Sequence, residues 1–137
     1  MSARREFDVV LLGATGYTGE HTARALADMA APDGRWAGLR WAIAGRSKKK
    51  LLALIDKWAL APSALLLADV GDECSLRAMC YRSRLVLNAT GPYRFYGEAV
   101  VQACIKEKVG IWLTARWSGA GTRLSARARP ARTPRRR

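Results

Sequence analysis

Three glycines recur at a spacing of three in Gly13-Ala14-Thr15-Gly16-Tyr17-Thr18-Gly19. They follow an apolar run, Phe7-Asp8-Val9-Val10-Leu11-Leu12, and precede a segment of helical periodicity. Between a strand and a helix, glycines at this spacing have distinct tasks. Gly13 permits a tight turn out of the strand. Gly16 lets bare backbone approach a diphosphate with no Cβ in between, and Gly19 lets helix and strand pack closely. The N–H groups at the helix start, with the helix dipole, favour a dianion there. Thr15 and Thr18 add hydroxyl donors, and Tyr17 belongs to the same cradle.

The tip of the next strand bears on which dinucleotide fits. A site that takes NAD usually offers a carboxylate there for the ribose 2′-hydroxyl. This sequence offers Gly45-Arg46-Ser47-Lys48-Lys49-Lys50, and its nearest acid, Asp33, sits in a Pro-Asp-Gly turn before the strand. Arg46 can fork onto a 2′-phosphate, Ser47 can donate to it, and the lysines add positive potential or form a solvated helix start. NADP is therefore expected over NAD. Asp69, after a third strand, is placed either to contact the adenine or to cap a helix. Asn88-Ala89-Thr90-Gly91 closes a fourth strand and is expected to face the cofactor.

The elements that must hold these groups read as an alternation. Strands are expected at Phe7–Leu12, Leu39–Ala44, Ala64–Ala68, Leu85–Ala89 and Gly110–Leu113. Helices are expected after Gly19, over Lys48–Trp58, after an Asp72 cap with Leu76, Met79 and Cys80 inward, and from about Gly97 to Lys108. Near-continuous apolar strands alternating with helices predict an α/β fold with a parallel sheet covered on both faces. Right-handed crossovers then give a doubly wound, Rossmann-type sheet of about five strands in the order 3-2-1-4-5. In that order the fourth strand lies beside the first, and the switch point falls between them, so Asn88 to Gly91 face it.

Composition narrows the class. The chain has 137 residues, 50% of them apolar, which suits one packed domain rather than a disordered, collagenous or disulfide scaffold. It shows no apolar run of membrane-spanning length and no signal-peptide pattern, so an intracellular, cytoplasmic setting is expected. The net charge of +13 is uneven: residues 111–137 hold eight arginines and no acid, leaving +5 for residues 1–110. The expected organisation is a nucleotide-binding domain over 1–113 and a disordered arginine-rich tail over 114–137. Such a tail supports non-specific phosphate binding but lacks a groove-reading element, so no specific nucleic-acid partner is expected. Cys74, Cys80 and Cys104 lack metal-ligand spacing, and His21 alone completes no metal site. All three cysteines read as small buried hydrophobes in a reducing compartment.

Gly13 to Gly19, Ala44-Gly45-Arg46-Ser47 followed by Leu51, and Asn88-Ala-Thr-Gly-Pro-Tyr-Arg-Phe-Tyr-Gly-Glu98 together resemble the saccharopine dehydrogenase-like oxidoreductases. The resemblance covers about residues 7–112, the family's cofactor-binding domain. It implies NAD(P)-dependent hydride transfer on a small-molecule substrate. It also implies links to lipid or glycolipid metabolism, with the lipid droplet or the mitochondrion as alternative locations. Tyr17, Tyr93, Arg94 and Tyr96 are candidates for the cleft wall, with packing as their alternative role, and no residue is assigned to catalysis. Glu98 reads as a favourable charge at a helix start.

The sequence departs from the family after Trp112. The expected Tyr-Val-Asp and Gly-Glu are replaced by Leu113-Thr114-Ala115-Arg116 and then by Arg, Ala, Pro and Ser. That shift is what a coding region read out of frame produces, so a truncated or frameshifted product without the substrate domain is expected. A catalytically inactive cofactor-binding fragment or partner subunit is the alternative to an enzyme. An uncovered fifth strand is expected to favour association or aggregation through the sheet edge.

Overall fold

The computed structural model describes residues 5–90 and 93–113, with backbone alone at 93–96 and 112–113. Strands β1 (Phe7–Leu12), β2 (Trp41–Gly45), β3 (Ala64–Leu67), β4 (Ser83–Asn88) and β5 (Gly110–Leu113) alternate with helices α1 (Tyr17–Ala30), α2 (Lys48–Trp58), α3 (Glu73–Tyr81) and α4 (Tyr93–Lys106). All strand pairs are parallel, in the order β3-β2-β1-β4-β5. This is the doubly wound sheet that the alternation predicts. The register brings the strand ends level: Leu12 lies opposite Ala44 and Asn88, Gly45 opposite Leu67, and Asn88 opposite Leu113. One carboxyl rim therefore collects every strand-to-helix turn.

Successive strand residues point to opposite faces, and the core divides accordingly. Val10, Leu12, Ala42, Ala44 and Val86 pack with Leu76 and Met79 of α3 and Val100 and Ala103 of α4. Leu11, Trp41 and Ile43 pack with Ala23 and Leu26 of α1 and Leu51 and Leu54 of α2. Each fully buried Leu among these stabilises the fold by about 1.5–3 kcal/mol relative to exposure.

Helix ends follow local chemistry. The Ser47 hydroxyl accepts the Lys50 N–H at 3.3 Å and starts α2. Ala59 ends it in the left-handed region at φ 49°, its N–H donating to Ile55 O. The Asp72 carboxylate accepts from the N–H groups of Cys74 and Ser75 and starts α3.

Some boundaries differ from the periodicity. α1 begins at Tyr17, so Gly19 lies inside its first turn rather than before it. A Cβ at Gly19 would fall 1.9 Å from Gly13 O, so only glycine allows this helix to start so close to β1. β2 begins at Trp41, because the Arg40 N–H and guanidinium are taken by the Asp8 carboxylate. β4 begins two residues early, at a buried Ser83 whose hydroxyl donates to Met79 O at 2.6 Å. α4 begins at Tyr93 rather than near Gly97. Cys80 and Cys104 are buried as expected, but Cys74 is exposed, because it falls on the outward side of α3.

Candidate cofactor site

A cavity of about 350 Å³ opens at the carboxyl rim, where β1 lies between β2 and β4. Its floor is Leu12 and Gly13, and the α1 turn contributes Thr15 and Gly16. Gly45 and Arg46 enter from β2, Asp69 and Val70 from β3, and Ala89 and Thr90 from β4. Residues at four strand ends, separated by up to 78 positions in sequence, thus converge on one groove at the switch point. A larger cavity, about 450 Å³, opens at the opposite rim between the ends of α1 and α2. Alanines, Pro32, Trp41 and Trp58 dominate it, and no glycine turn or helix start faces it, so it is the poorer candidate for a phosphate ligand.

The glycine turn is built by backbone geometry. Gly13 has φ +83°, in the region that favours glycine, and its N–H donates to Ala44 O at 3.0 Å. A Cβ on Gly13 would lie 2.7 Å from Thr90 N and 2.9 Å from Ala89 C, so the β1 and β4 turns touch through bare backbone. Gly16 is extended at φ −77° and caps α1 without any side-chain hydrogen bond, whereas Ser47 and Asp72 cap α2 and α3. A Cβ there would meet nothing closer than Gly13 O at 3.6 Å. Gly16 thus has open space above it and a helix start without a side-chain cap behind it. Those features suit an anionic group lying across the turn.

The other walls are fixed by short hydrogen-bonded turns. Asp69 Oδ1 accepts the Gly71 N–H at 2.9 Å, and the Asp69 N–H donates to Ser75 Oγ at 3.0 Å. Asp69 therefore shapes the turn and lines the groove, while the helix cap falls to Asp72. On β4, the buried Asn88 Oδ1 accepts from Thr90 N at 3.1 Å and from Thr90 Oγ1 at 2.6 Å. Asn88 holds Thr90 rather than facing the groove.

Of the residues singled out from the sequence, Gly13, Thr15, Gly16, Arg46, Asp69, Ala89 and Thr90 come together around this cavity. Five others lie beside it. Tyr17 points outward, 83% exposed, edge-on to His21 with ring centres 4.7 Å apart. Thr18 is exposed, with its carbonyl bonded to Thr22. Gly19 is buried under the turn, Ser47 caps α2, and Asn88 supports Thr90. Gly91, the cleft-wall side chains of Tyr93, Arg94 and Tyr96, and the segment 114–137 fall outside the described residues or side chains. The sequence reading did not single out Leu12, Gly45, Ala68 and Val70 as site residues. Each is a strand end or lies just past one, a signal that becomes specific only when the strand order is known.

Among the described residues, no helix is long and apolar enough to cross a membrane, and no group of three or more His, Cys, Asp or Glu could hold a metal ion.

A five-stranded parallel sheet with a glycine turn at its switch point defines a Rossmann-type dinucleotide-binding domain. Residues 9–132 match the family described as "Saccharopine dehydrogenase NADP binding domain", and the chain belongs to that family, whose cofactor is NADP. The match runs past β5 into the segment that the sequence reading set apart as a tail.

Similar proteins include a saccharopine dehydrogenase-like oxidoreductase of Mus musculus, 40% identical over 75% of this chain and 26% of the relative. A lipid droplet localized protein of Caenorhabditis elegans is 39% identical over 73% of the chain and 24% of its own length. A trans-acting enoyl reductase of Mycobacterium bovis is 42% identical over 76% and 24%. The chain therefore spans about a quarter of the length of these relatives. Among solved structures, apo saccharopine dehydrogenase from Saccharomyces cerevisiae superposes with a TM-score of 0.63 at 21% identity, covering 82% of this chain and 22% of that one. That likeness establishes the fold.

Proposed function

We propose that this chain is the dinucleotide-binding part of an oxidoreductase that prefers NADP(H) to NAD(H) and acts on a lipid-related substrate. The observation that carries the reading is the convergence of the Gly13–Gly16 turn, Arg46, Asp69 and Thr90 on one groove at the carboxyl rim. When bound, the dinucleotide supplies or accepts hydride, and this chain's residues bind and orient it.

In this reading the diphosphate lies over Gly16, held by the turn and the first N–H groups of α1, with Thr15 at its side. Tyr17 and Thr18 flank the outer edge, and Gly19 keeps α1 close enough for its start to reach the groove. Arg46 takes the 2′-phosphate through charge-assisted hydrogen bonds. Ser47 assists: its oxygen accepts the Lys50 N–H, which leaves its own O–H proton free to donate. Asp69 and Val70 border the adenine side. Ala89 and Thr90, with Gly91, border the nicotinamide side.

The lipid link rests on relatives named for enoyl reduction and for lipid droplets. One domain and a tail remain part of the proposal: the nucleotide-binding unit over 1–113 and an arginine-rich tail over 114–137.

Calorimetric titration of the full chain with NADPH and NADH tests the reading. NADPH should bind at least about tenfold more tightly, a difference of about 1.4 kcal/mol. Arg46→Ala should remove most of that difference while leaving NADH affinity nearly unchanged. Equal affinities in the parent chain, or an Arg46→Ala variant that keeps full NADPH affinity, would overturn it.

A further inference from the structure

On the face of the sheet covered by α3 and α4, two nucleophilic groups sit together that the cofactor site does not use. Cys80 lies in the last turn of α3 and Cys104 in the last turn of α4, and both are fully buried. Their Sγ atoms are 3.5 Å apart, although 24 positions separate them in sequence. A disulfide requires sulfur centres at about 2.05 Å, so bonding needs a further approach of about 1.5 Å from the observed contact. Leu76, Met79, Val100 and Ala103 share their apolar cluster, and the charges of Glu107 and Arg5 also bear on Cys80.

Polar contacts also tie α3 to the C-terminal end of α4. Arg5 Nη1 donates to Cys80 O at 3.4 Å and Arg5 Nη2 to Glu107 O at 2.8 Å. Arg77 pairs with Glu107 at 2.8 Å, and Lys106 pairs with Glu73. The sulfur pair is therefore held in register by contacts outside itself. The two thiols are also inequivalent. Either sulfur can donate in this contact; the Cys104 neighbour lowers the Cys80 thiol against the opposing effect of burial, while the Cys80 neighbour and burial raise the Cys104 thiol.

We propose that Cys80 and Cys104 are a modification site, a thiol pair that a hydroperoxide converts reversibly into an intrachain disulfide locking α3 to α4. The Cys80 thiolate attacks one peroxide oxygen, breaking the O–O bond to give a sulfenic acid and hydroxide. The Cys104 sulfur then attacks Cys80 Sγ, the S–O bond breaks, and water leaves. In sum, two thiols give up two electrons and two protons, and hydrogen peroxide becomes two waters. Burial confines the reaction to a small oxidant and to moments when the two helix ends part.

The test uses the full chain carrying Cys74→Ser, which removes the exposed thiol and with it cross-links between chains. Treatment with hydrogen peroxide should lower the intact mass by 2 Da. It should protect both remaining cysteines from alkylation in denaturant and produce a peptide pair joining Cys80 to Cys104 in a non-reducing digest. Dithiothreitol should reverse all three, and the oxidised form should melt about 5–10 °C higher. In Cys74→Ser/Cys104→Ala, the mass loss should vanish and Cys80 should add oxygen instead. Two free thiols after treatment, or added oxygens without the cross-linked pair in Cys74→Ser, would overturn the proposal. The Cys74→Ser result decides the matter even where the double variant fails to fold.

Discussion

Alanine substitution separates the roles of Gly16 and Gly19, because the structure gives each added methyl a different neighbour. At Gly19 the new Cβ would sit 1.9 Å from Gly13 O and 2.8 Å from Ala14 Cα. Both are backbone atoms, so relief requires moving α1 away from β1. Overpacking a core commonly costs 1–3 kcal/mol, and a contact this short against backbone belongs at roughly 3 kcal/mol or more. For a domain of this size that is a fall in Tm of about 10–15 °C.

At Gly16, the nearest atom would be 3.6 Å away, an ordinary contact, and φ −77° suits any residue. The folded-state cost is the poorer capping of alanine, about 1 kcal/mol or less. That methyl would stand in the open groove where the diphosphate is proposed to lie, so Gly16→Ala should weaken NADPH binding at least about tenfold, or about 1.4 kcal/mol. Differential scanning fluorimetry and calorimetry on both variants give the two readouts. The reasoning fails if Gly16→Ala binds NADPH like the parent, or if Gly19→Ala melts within about 2 °C of it.

Other consequences follow from the same structure. Asp72→Ala should destabilise the domain by about 1 kcal/mol, seen in urea denaturation, because it removes the acceptor for the Cys74 and Ser75 N–H groups that start α3. The Arg40 side chain, and then its backbone N–H, hold the Asp8 carboxyl below its ordinary 3.8. With a depressed folded-state value, this stabilisation is present above about pH 4 and is lost as pH falls through the folded value. Arg40→Ala should therefore reduce the acid sensitivity of stability below pH 4. With side-chain exposures of 38% and 25%, solvent screening limits the effect to about 0.5–1 kcal/mol, measurable as urea midpoints from pH 2 to 7. Deleting residues 114–137, which carry eight arginines, should abolish salt-sensitive retention on a polyphosphate column and leave NADPH affinity within about twofold. Loss of cofactor binding on that deletion would refute the proposed division of the chain.

Much of this protein was legible without coordinates, and the reason is that its main signals are local. Strand and helix periodicities, Asp72 before a helical run, and a glycine turn between strand and helix depend on neighbouring residues. Parallel pairing with right-handed crossovers then leaves few sheet orders open, and the observed order is the simplest of them. The glycine turn and the placement of Arg46 at a strand tip were readable for the same reason.

Long-range proximity was what tertiary structure decided. Gly19 belongs inside α1 because of a carbonyl that folds back over it, and Asn88 is a support for Thr90 because its side chain is buried. Asp69 and Thr90 share a groove only because β3 and β4 flank the β2–β1 pair on opposite sides. Cys80 and Cys104 touch, while Cys74 faces outward, because the rotation of α3 and its packing on α4 set which sulfurs meet. One-dimensional spacing specifies the period of a helix or strand. Which side chains meet across the layers depends on how those elements rotate and pack, and only the folded chain expresses that.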